Sequence, residues 1–215
     1  MKLLLTSAGL TNKSIIMVLE NMVGKSANRS KLAFVPTAAN IEPGDKSWLI
    51  EDMQNCVSAG FELDIVDISA LPQKHWLPRL DSADVLLFGG GNTFHLMHWF
   101  MKSGLQNLLP DLLQTRIYVG ISAGSCITGS TIYNSVQNLF REKYDLEIKE
   151  GLGLVNFQTI PHLNSPHFDR IKETNLDVAS KEISEQVYAL DDNSAIMVKD
   201  HQVEVISEGN WLKYN

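Results

Sequence analysis

Short apolar runs that alternate with segments of helical periodicity constrain the fold of this chain more than any other feature. The predicted strands of the first 130 residues span 2–6, 32–35, 61–68, 84–88 and 116–121. Because these runs are apolar almost throughout, both faces of each strand are expected to be covered. The pattern therefore predicts an α/β fold, in which helices flank both faces of a mostly parallel sheet.

The remaining segments complete this pattern. The predicted helices span 12–23, a stretch from after Pro43 to near Gly60, 94–101, 122–129 and 168–185. Residues 134–151 are polar and predict a loop, whereas apolar runs at 155–160, 187–190, 195–198 and 203–206 predict strands. The last of these strands are expected to form an antiparallel edge. No linker or repeat interrupts the chain, which predicts a single domain over 1–215.

Composition excludes several classes of protein. The chain has 215 residues, of which 44% are hydrophobic and 20% charged, and a formal net charge of −7. The acidic balance argues against a nucleic-acid partner. No apolar run approaches the roughly 18 residues of a membrane-spanning helix, and the apolar start is too short for a secretory signal. We expect a cytoplasmic protein with no membrane partner, in which Cys56 and Cys126 are buried free thiols.

The sharpest chemical signal is Gly120-Ile121-Ser122-Ala123-Gly124, where an apolar strand runs into a predicted helix. In such a Gly-x-Ser-x-Gly turn the serine hydroxyl is thrust out above the sheet, and the glycines prevent collisions with neighbouring elements. Ser122 is therefore a candidate nucleophile. The alternative is a tight turn with a capping serine.

A second glycine-rich turn, Gly89-Gly90-Gly91-Asn92-Thr93, also follows a strand and precedes a helix. It lacks the further residues of a phosphate-binding loop. The functional interpretation is an oxyanion hole, formed by the backbone amides of Gly90 and Ala123. Asn92 and Thr93 are candidates both for helix caps and for substrate binding, and the alternative for the whole motif is a flexible turn with an N-cap.

A serine nucleophile needs a base, and His162 is the preferred candidate among the histidines. It follows the predicted strand at 155–160, and the end of a strand of the same sheet could reach the crevice above Ser122. His167 is the local competitor. The sequence shows no metal cluster and no nucleotide-binding fingerprint, so no metal or cofactor is expected.

These motifs, in this order, resemble the serine peptidase family that contains aspartyl dipeptidase (dipeptidase E) and cyanophycinase. The resemblance rests on the two glycine-rich turns and on Pro161-His162, and the segment from Ala189 to Ala195 adds to it. It implies a three-layer α/β sandwich of the flavodoxin-like kind, related to class I glutamine amidotransferases. It also implies Ser122 as nucleophile, His162 as base, Gly90 and Ala123 as oxyanion donors, and small aspartyl-linked peptides as substrates.

Two positions depart from the family pattern. The family's triad acid falls on Gln137 when residues are counted without gaps, and Glu142, Asp145 or an acid from elsewhere is considered in its place. A glutamine can orient an imidazole but cannot offset its charge. The family's arginine that reads aspartate has Arg170 as its nearest counterpart, and Arg170 at a helix start could equally be a surface charge.

Two other functions are weighed against the serine peptidase. One is an inactive or weakened descendant that binds a small acidic peptide or metabolite in the same crevice, which Gln137 would favour. The other is a cysteine-dependent hydrolase of the same architecture, with Cys126 one helical turn after Ser122. An exposed edge strand near the end of the chain could support a homodimer.

Overall fold

Two β-sheets and a set of mostly short helices make up the chain, as seen in a computed structural model that describes residues 1–132, 139–200 and 202–215. The strands β1 to β10 span, in order, Lys2–Thr6, Lys31–Val35, Glu62–Ile65, Val85–Phe88, Ile117–Ile121, Phe157–Ile160, Gln186–Leu190, Ser194–Lys199, Gln202–Ser207 and Trp211–Tyr214. The helices α1 to α7 span Lys13–Val23, Ser47–Ser58, Gln73–Ser82, Thr93–Ser103, Leu105–Leu112, Ala123–Cys126 and Glu173–Ala179.

The larger sheet has the predicted mixed character. Its strand order is β3-β2-β4-β5-β1-β8-β9. The first five of these strands run parallel, with Leu4 of β1 opposite Val119 of β5. β8 and β9 then add antiparallel pairs at one edge. The prediction of a mostly parallel α/β fold with an antiparallel edge near the C-terminus is confirmed.

Apolar side chains pack on both faces of this sheet. One core contains Leu4 of β1 together with Ile15 of α1 and Cys56 of α2. The opposite core contains Leu3 and Leu5 of β1 together with side chains of α3, α4 and α5, such as Trp76, Phe100 and Leu109. Neighbouring residues of β1 thus point into different cores, which explains why the strand is apolar at every position.

A smaller second sheet was not expected. It has the order β10-β7-β6, in which β6 and β7 are parallel and β10 is antiparallel to β7. A third apolar cluster packs against it and includes Ile160, Leu176 of α7 and Val187. The strands predicted at 155–160 and 187–190 therefore exist but belong to this second sheet.

Several helices differ from the predictions. The sequence does not predict α3 and α5, because Pro78 and Pro110 lie inside them and proline normally interrupts a helical pattern. The helix predicted at 122–129 ends at Cys126. The helix predicted at 168–185 is reduced to α7 and a 3₁₀ turn at Ser180–Glu182, since a series of turns occupies the preceding residues.

The carboxyl ends of the parallel strands bring three loops together. The loop after β1 begins at Ser7, the glycine turn (residues 89–93) follows β4, and Ser122 follows β5. In open α/β sheets this edge is the usual place for ligands. Within the described ranges, no helix combines the length and apolarity needed to cross a membrane.

Candidate active site

Ser122 lies in a strained turn between β5 and α6. Its backbone has φ 49° and ψ −105°, a positive φ that non-glycine residues seldom adopt. A Cβ atom on Gly120 would lie 2.6 Å from the backbone of Gly124, and one on Gly124 would lie 2.1 Å from the carbonyl oxygen of Phe88. The two flanking positions therefore admit only glycine, and the turn has the form predicted for a nucleophile.

His162 reaches Ser122 from the second sheet. Its Nε2 atom lies 2.9 Å from Oγ of Ser122. The expectation that His162 follows a strand of the same sheet as Ser122 is wrong, because β6 pairs with β7 rather than with the larger sheet. His162 also has a positive φ of 65°, and its backbone amide donates to Oγ of Ser7 at 2.8 Å.

The His162 ring is held from several directions. The ring of Phe168 stacks on it with centroids 4.2 Å apart and an interplanar angle of 7°. His167, the competitor, is exposed, and the imidazole that contacts Ser122 is that of His162. His162 is thus the histidine that the fold presents to the serine.

Asp192 completes a chain of three side chains. Its Oδ1 atom lies 2.7 Å from Nδ1 of His162, and Ser7 donates to the same oxygen at 2.9 Å. Burial raises the pKa of Asp192, but hydrogen bonds from His162, Ser7 and Ser165 and the nearby imidazole outweigh it, so the pKa lies below its ordinary value. The carboxylate is therefore charged at neutral pH, as needed to orient and stabilise an imidazolium.

The predicted acids are not the partners of His162. Gln137 lies outside the described residues. Glu142 accepts hydrogen bonds from the amide and the hydroxyl of Thr93, at 2.5 and 2.8 Å. Asp145 is exposed and lines a separate cavity of about 270 Å³. The sequence does not indicate Asp192 as the acid, because its segment predicts a turn between strands, although the same segment carries part of the family resemblance.

Gly90 lies beside the nucleophile. A Cβ atom on Gly90 would be 3.4 Å from Cβ of Ser122 and 3.8 Å from the ring of Trp48. Within the described part of the chain, no acceptor takes a hydrogen bond from the amides of Gly90 or Ala123. Both amides can therefore serve an oxygen of a substrate.

Asn92 has the predicted capping role, and the substrate contact of Asn92 and Thr93 stays a prediction. Both are buried, with exposed fractions of 4% and 1%. Asn92 caps α4 by accepting from the amide of His95 at 2.9 Å, and its Nδ2 donates to the carbonyl of Lys143 at 3.3 Å. These contacts hold the glycine turn to the 142–143 segment.

Arg170 lies in a turn before α7 rather than on a helix start. It is half-buried, and its carbonyl accepts from Nδ2 of Asn175 at 3.0 Å. It follows Phe168 by two residues, so its backbone is part of the same loop that covers the imidazole.

The cysteines are confirmed as buried free thiols. Cys126 contacts the carbonyl oxygen of Thr159 at 3.4 Å, and burial, reinforced by Glu142, raises the pKa of its thiol. Burial also raises the pKa of Cys56 to about 12. A nucleophilic cysteine needs an accessible thiolate, so neither residue fits that role.

Sequence comparison decides the family to which this site belongs. A model of peptidase family S51 matches residues 3–206. The chain belongs to peptidase family S51. One relative is an uncharacterized peptidase of Listeria monocytogenes, 27% identical over 186 residues that cover 85% of this chain and 86% of the relative. A peptidase E of a Shewanella species is 32% identical over 150 residues, which cover 68% of this chain and 57% of that protein.

Solved structures share the fold. A crystal structure of a Listeria monocytogenes protein assigned as a peptidase E has a TM-score of 0.81 at 24% identity, and covers 97% of this chain and 98% of its own. A peptidase from an actinobacterium has a TM-score of 0.72 at 18% identity, over 98% and 88% of the two chains. Membership of family S51 makes this chain a serine-type peptidase. In the described ranges, no group of three or more His, Cys, Asp or Glu side chains is placed to hold a metal ion.

Proposed function

We propose that this S51 peptidase hydrolyses small aspartyl-linked peptides through an acyl-enzyme on Ser122. The observation that carries the proposal is the continuous contact from Oγ of Ser122 through the two ring nitrogens of His162 to Oδ1 of Asp192. The same arrangement of serine, imidazole and carboxylate recurs on unrelated folds that carry out acyl transfer.

In the first half-reaction, Oγ of Ser122 attacks the carbonyl carbon of the scissile bond while its proton passes to Nε2 of His162. Asp192 accepts the Nδ1–H of the ring and stabilises the imidazolium. The amides of Gly90 and Ala123 donate to the oxyanion. When the tetrahedral intermediate collapses, the C–N bond breaks and the imidazolium gives its proton to the leaving amine.

In the second half-reaction, water takes the place of the amine. His162 removes a proton from the water, which attacks the acyl carbon, and the proton then returns to Oγ of Ser122 as the ester bond breaks. A serine triad with its carboxylate reacts much faster than one in which an amide replaces that carboxylate. Gln137 favoured an inactive binding protein because it would leave the triad without an acid. Asp192 supplies a carboxylate, so that argument no longer applies. Cys126 is buried, which leaves no basis for cysteine chemistry.

The proposal of an aspartyl substrate rests on the family resemblance and on the peptidase E relatives. Arg170 is the proposed reader of the substrate carboxylate, because its loop also carries Phe168 over His162. A planar guanidinium can donate two parallel hydrogen bonds to the two oxygens of an aspartate carboxylate. The side-chain amide of asparagine has only one oxygen and cannot accept both.

The first experiment measures hydrolysis of dipeptides with α- or β-linked aspartate at the amino-terminal position, by wild type and by Ser122→Ala. Ser122→Ala should abolish turnover and labelling by a fluorophosphonate, since the hydroxyl forms the acyl bond. Ser125→Ala is the matched control, because Ser125 is buried and only donates to the carbonyl of Thr6. Labelling that persists in Ser122→Ala would refute the assignment.

The second experiment compares each aspartyl peptide with its asparaginyl counterpart. Wild type should prefer aspartate by tenfold or more in kcat/KM, and Arg170→Met should lose that preference while its fluorophosphonate labelling is unchanged. Arg29→Met is the control, because it replaces an exposed arginine that lies far from Arg170 in the sequence. Equal turnover of both peptides by wild type would exclude the role of Arg170 and leave the serine chemistry intact.

A further inference from the structure

The glycine turn has little means of holding its own shape. Gly89, Gly90 and Gly91 carry no side chains, and glycine has more backbone freedom to lose than any other residue. An oxyanion site is effective only when its donors are in place before charge develops. The turn therefore needs anchors from outside.

One anchor is the backbone after β2. The amide of Asn92 donates to the carbonyl of Ala38 at 2.9 Å, and the amide of Gly89 donates to that of Val35 at 3.0 Å. Gly91 has φ 125°, and a Cβ atom there would lie 2.4 Å from the carbonyl oxygen of Ala38. This side of the turn thus lies directly against neighbouring backbone.

The other anchor is the carboxylate of Glu142. It binds the amide and hydroxyl of Thr93, while Asn92 donates to the carbonyl of Lys143. Burial raises the pKa of Glu142 to about 7, against the opposing hydrogen bonds from Thr93 and with a smaller contribution from Glu42 in the same direction as burial. Burying a carboxyl group is unfavourable unless hydrogen bonds compensate. For Glu142 these come from Thr93, which ends the glycine turn and begins α4.

We propose that Glu142 is a positioning residue that fixes the glycine turn and thereby holds the amide of Gly90 next to Ser122. Gly90 lies three residues before Thr93, and its Cβ position is 3.4 Å from Cβ of Ser122. This inference rests on the oxyanion role proposed above for Gly90. Glu142 does not contact His162, and this inference gives it another function in the same site.

The test compares Glu142→Ala with Glu142→Gln. Glu142→Ala should lower kcat about tenfold to a hundredfold with KM within twofold, because a loosened donor costs less than the roughly 10²–10³ lost when an oxyanion donor is removed. Glu142→Gln keeps an acceptor for the amide of Thr93 and a donor for its hydroxyl. It should keep kcat within about threefold of wild type.

The matched control is Glu147→Ala. Glu147 lies in the same segment, but its carboxylate is exposed and pairs with Lys149 at 3.0 Å, so kcat should not change. A folded Glu142→Ala enzyme with wild-type kcat would overturn the proposal. If Glu142→Ala does not fold, Thr93→Val removes only the hydroxyl contact, and should lower kcat at least threefold at unchanged KM. An unchanged kcat in Thr93→Val would likewise overturn it.

Acylation of Ser122 by p-nitrophenyl acetate is measured beside peptide hydrolysis, because it needs the oxyanion donors but no aspartyl group. If the ester gives a Ser122-dependent burst and no aspartyl peptide is cleaved, the proposed substrate is wrong. The burst rates of the Glu142 variants then still support or overturn the positioning role. If wild type neither becomes acylated at Ser122 nor turns over the ester, the proposed function and this inference both fail.

Discussion

At Asp192, burial and hydrogen bonding act on one carboxylate in opposite directions. The hydrogen bonds prevail, and the pKa in the folded protein lies below that of the unfolded chain, which is about 4. The carboxylate therefore stabilises the fold at pH values above about 4. That contribution is lost as the pH falls through the lower pKa of the folded state.

Replacing Asp192 by asparagine should lower kcat by about 10³–10⁴, as expected when a triad carboxylate becomes an amide and favours the wrong imidazole tautomer. The measurement is steady-state kinetics at pH 8. Asp191→Asn is the control, because Asp191 accepts from the amide of Asn193 at 3.0 Å and the hydroxyl of Ser194 at 2.6 Å. It should reduce stability and leave kcat near wild type. A loss of less than tenfold in Asp192→Asn would contradict the triad.

The sequence predicts part of this site and not the rest, for physical reasons. Ser122 and Gly90 lie in local motifs whose backbone geometry depends on adjacent glycines, so the sequence alone indicates them. Asp192 reaches His162 only because β7 and β8 belong to different sheets and the link between them passes the imidazole. No spacing along the chain carries that information, which is why counting from Ser122 pointed to Gln137.

At the scale of elements, α2 places the carboxyl group of Asp52 on the side that packs toward the larger sheet. Oδ1 of Asp52 lies 3.3 Å from the Cβ position of Gly9, next to the side chain of Ile121. Burial, and to a lesser degree Glu51, raises the pKa of Asp52 to about 7. Because the folded pKa is higher than the unfolded one, ionisation destabilises the fold as the pH rises from about 4 to 7.

Asp52→Asn should therefore gain stability relative to wild type as the pH rises. Between pH 5 and pH 8 the difference in the free energy of unfolding should grow by about 1–2 kcal/mol, less than the full 1.36 kcal/mol per pKa unit because the side chain is partly solvated. Urea denaturation at the two pH values measures it. Glu51→Gln, an exposed change of the same charge on the same helix, should show a much smaller difference. A pH-independent Asp52→Asn effect would contradict the burial of a titrating carboxyl.

The elements themselves were predictable where the pattern was local. The buried parallel strands follow from continuous apolar runs, and α1 follows from its periodicity together with the Asn12 cap on the amide of Ile15. Helices α3 and α5 contain proline, and their formation depends on packing against β-strands that a sequence pattern does not show. The division into two sheets depends on pairing between distant segments, which apolar runs leave undetermined.

At the scale of the molecule, the site is assembled where the two sheets meet. Ser122 follows β5 of the larger sheet, His162 follows β6 of the smaller one, and Asp192 lies in the link from β7 to β8. Activity therefore depends on how firmly the smaller sheet and α7 pack, and not only on the stability of the larger sheet.

Leu176→Ala should test this dependence. Leu176 is 1% exposed within the cluster under the smaller sheet, so its truncation should cost about 2–5 kcal/mol. In a urea titration, activity should be lost at a lower urea concentration than most of the far-UV circular dichroism signal, because the larger sheet should still be folded. Leu19→Ala, in the core between α1 and the larger sheet, should instead lose both signals together. Coincident curves for Leu176→Ala would show that the two sheets unfold as one unit.

The way His162 is held also limits how the catalytic cycle can run. Phe168 lies across one face of the ring, Asp192 contacts one nitrogen and Ser122 the other, and all three contacts oppose a flip of the imidazole. In the proposed mechanism the proton that Nε2 accepts therefore leaves from the same nitrogen. In the proposed mechanism the departing amine and the incoming water therefore occupy the same position beside Nε2 in succession, and slow release of the amine product would delay hydrolysis of the acyl-enzyme.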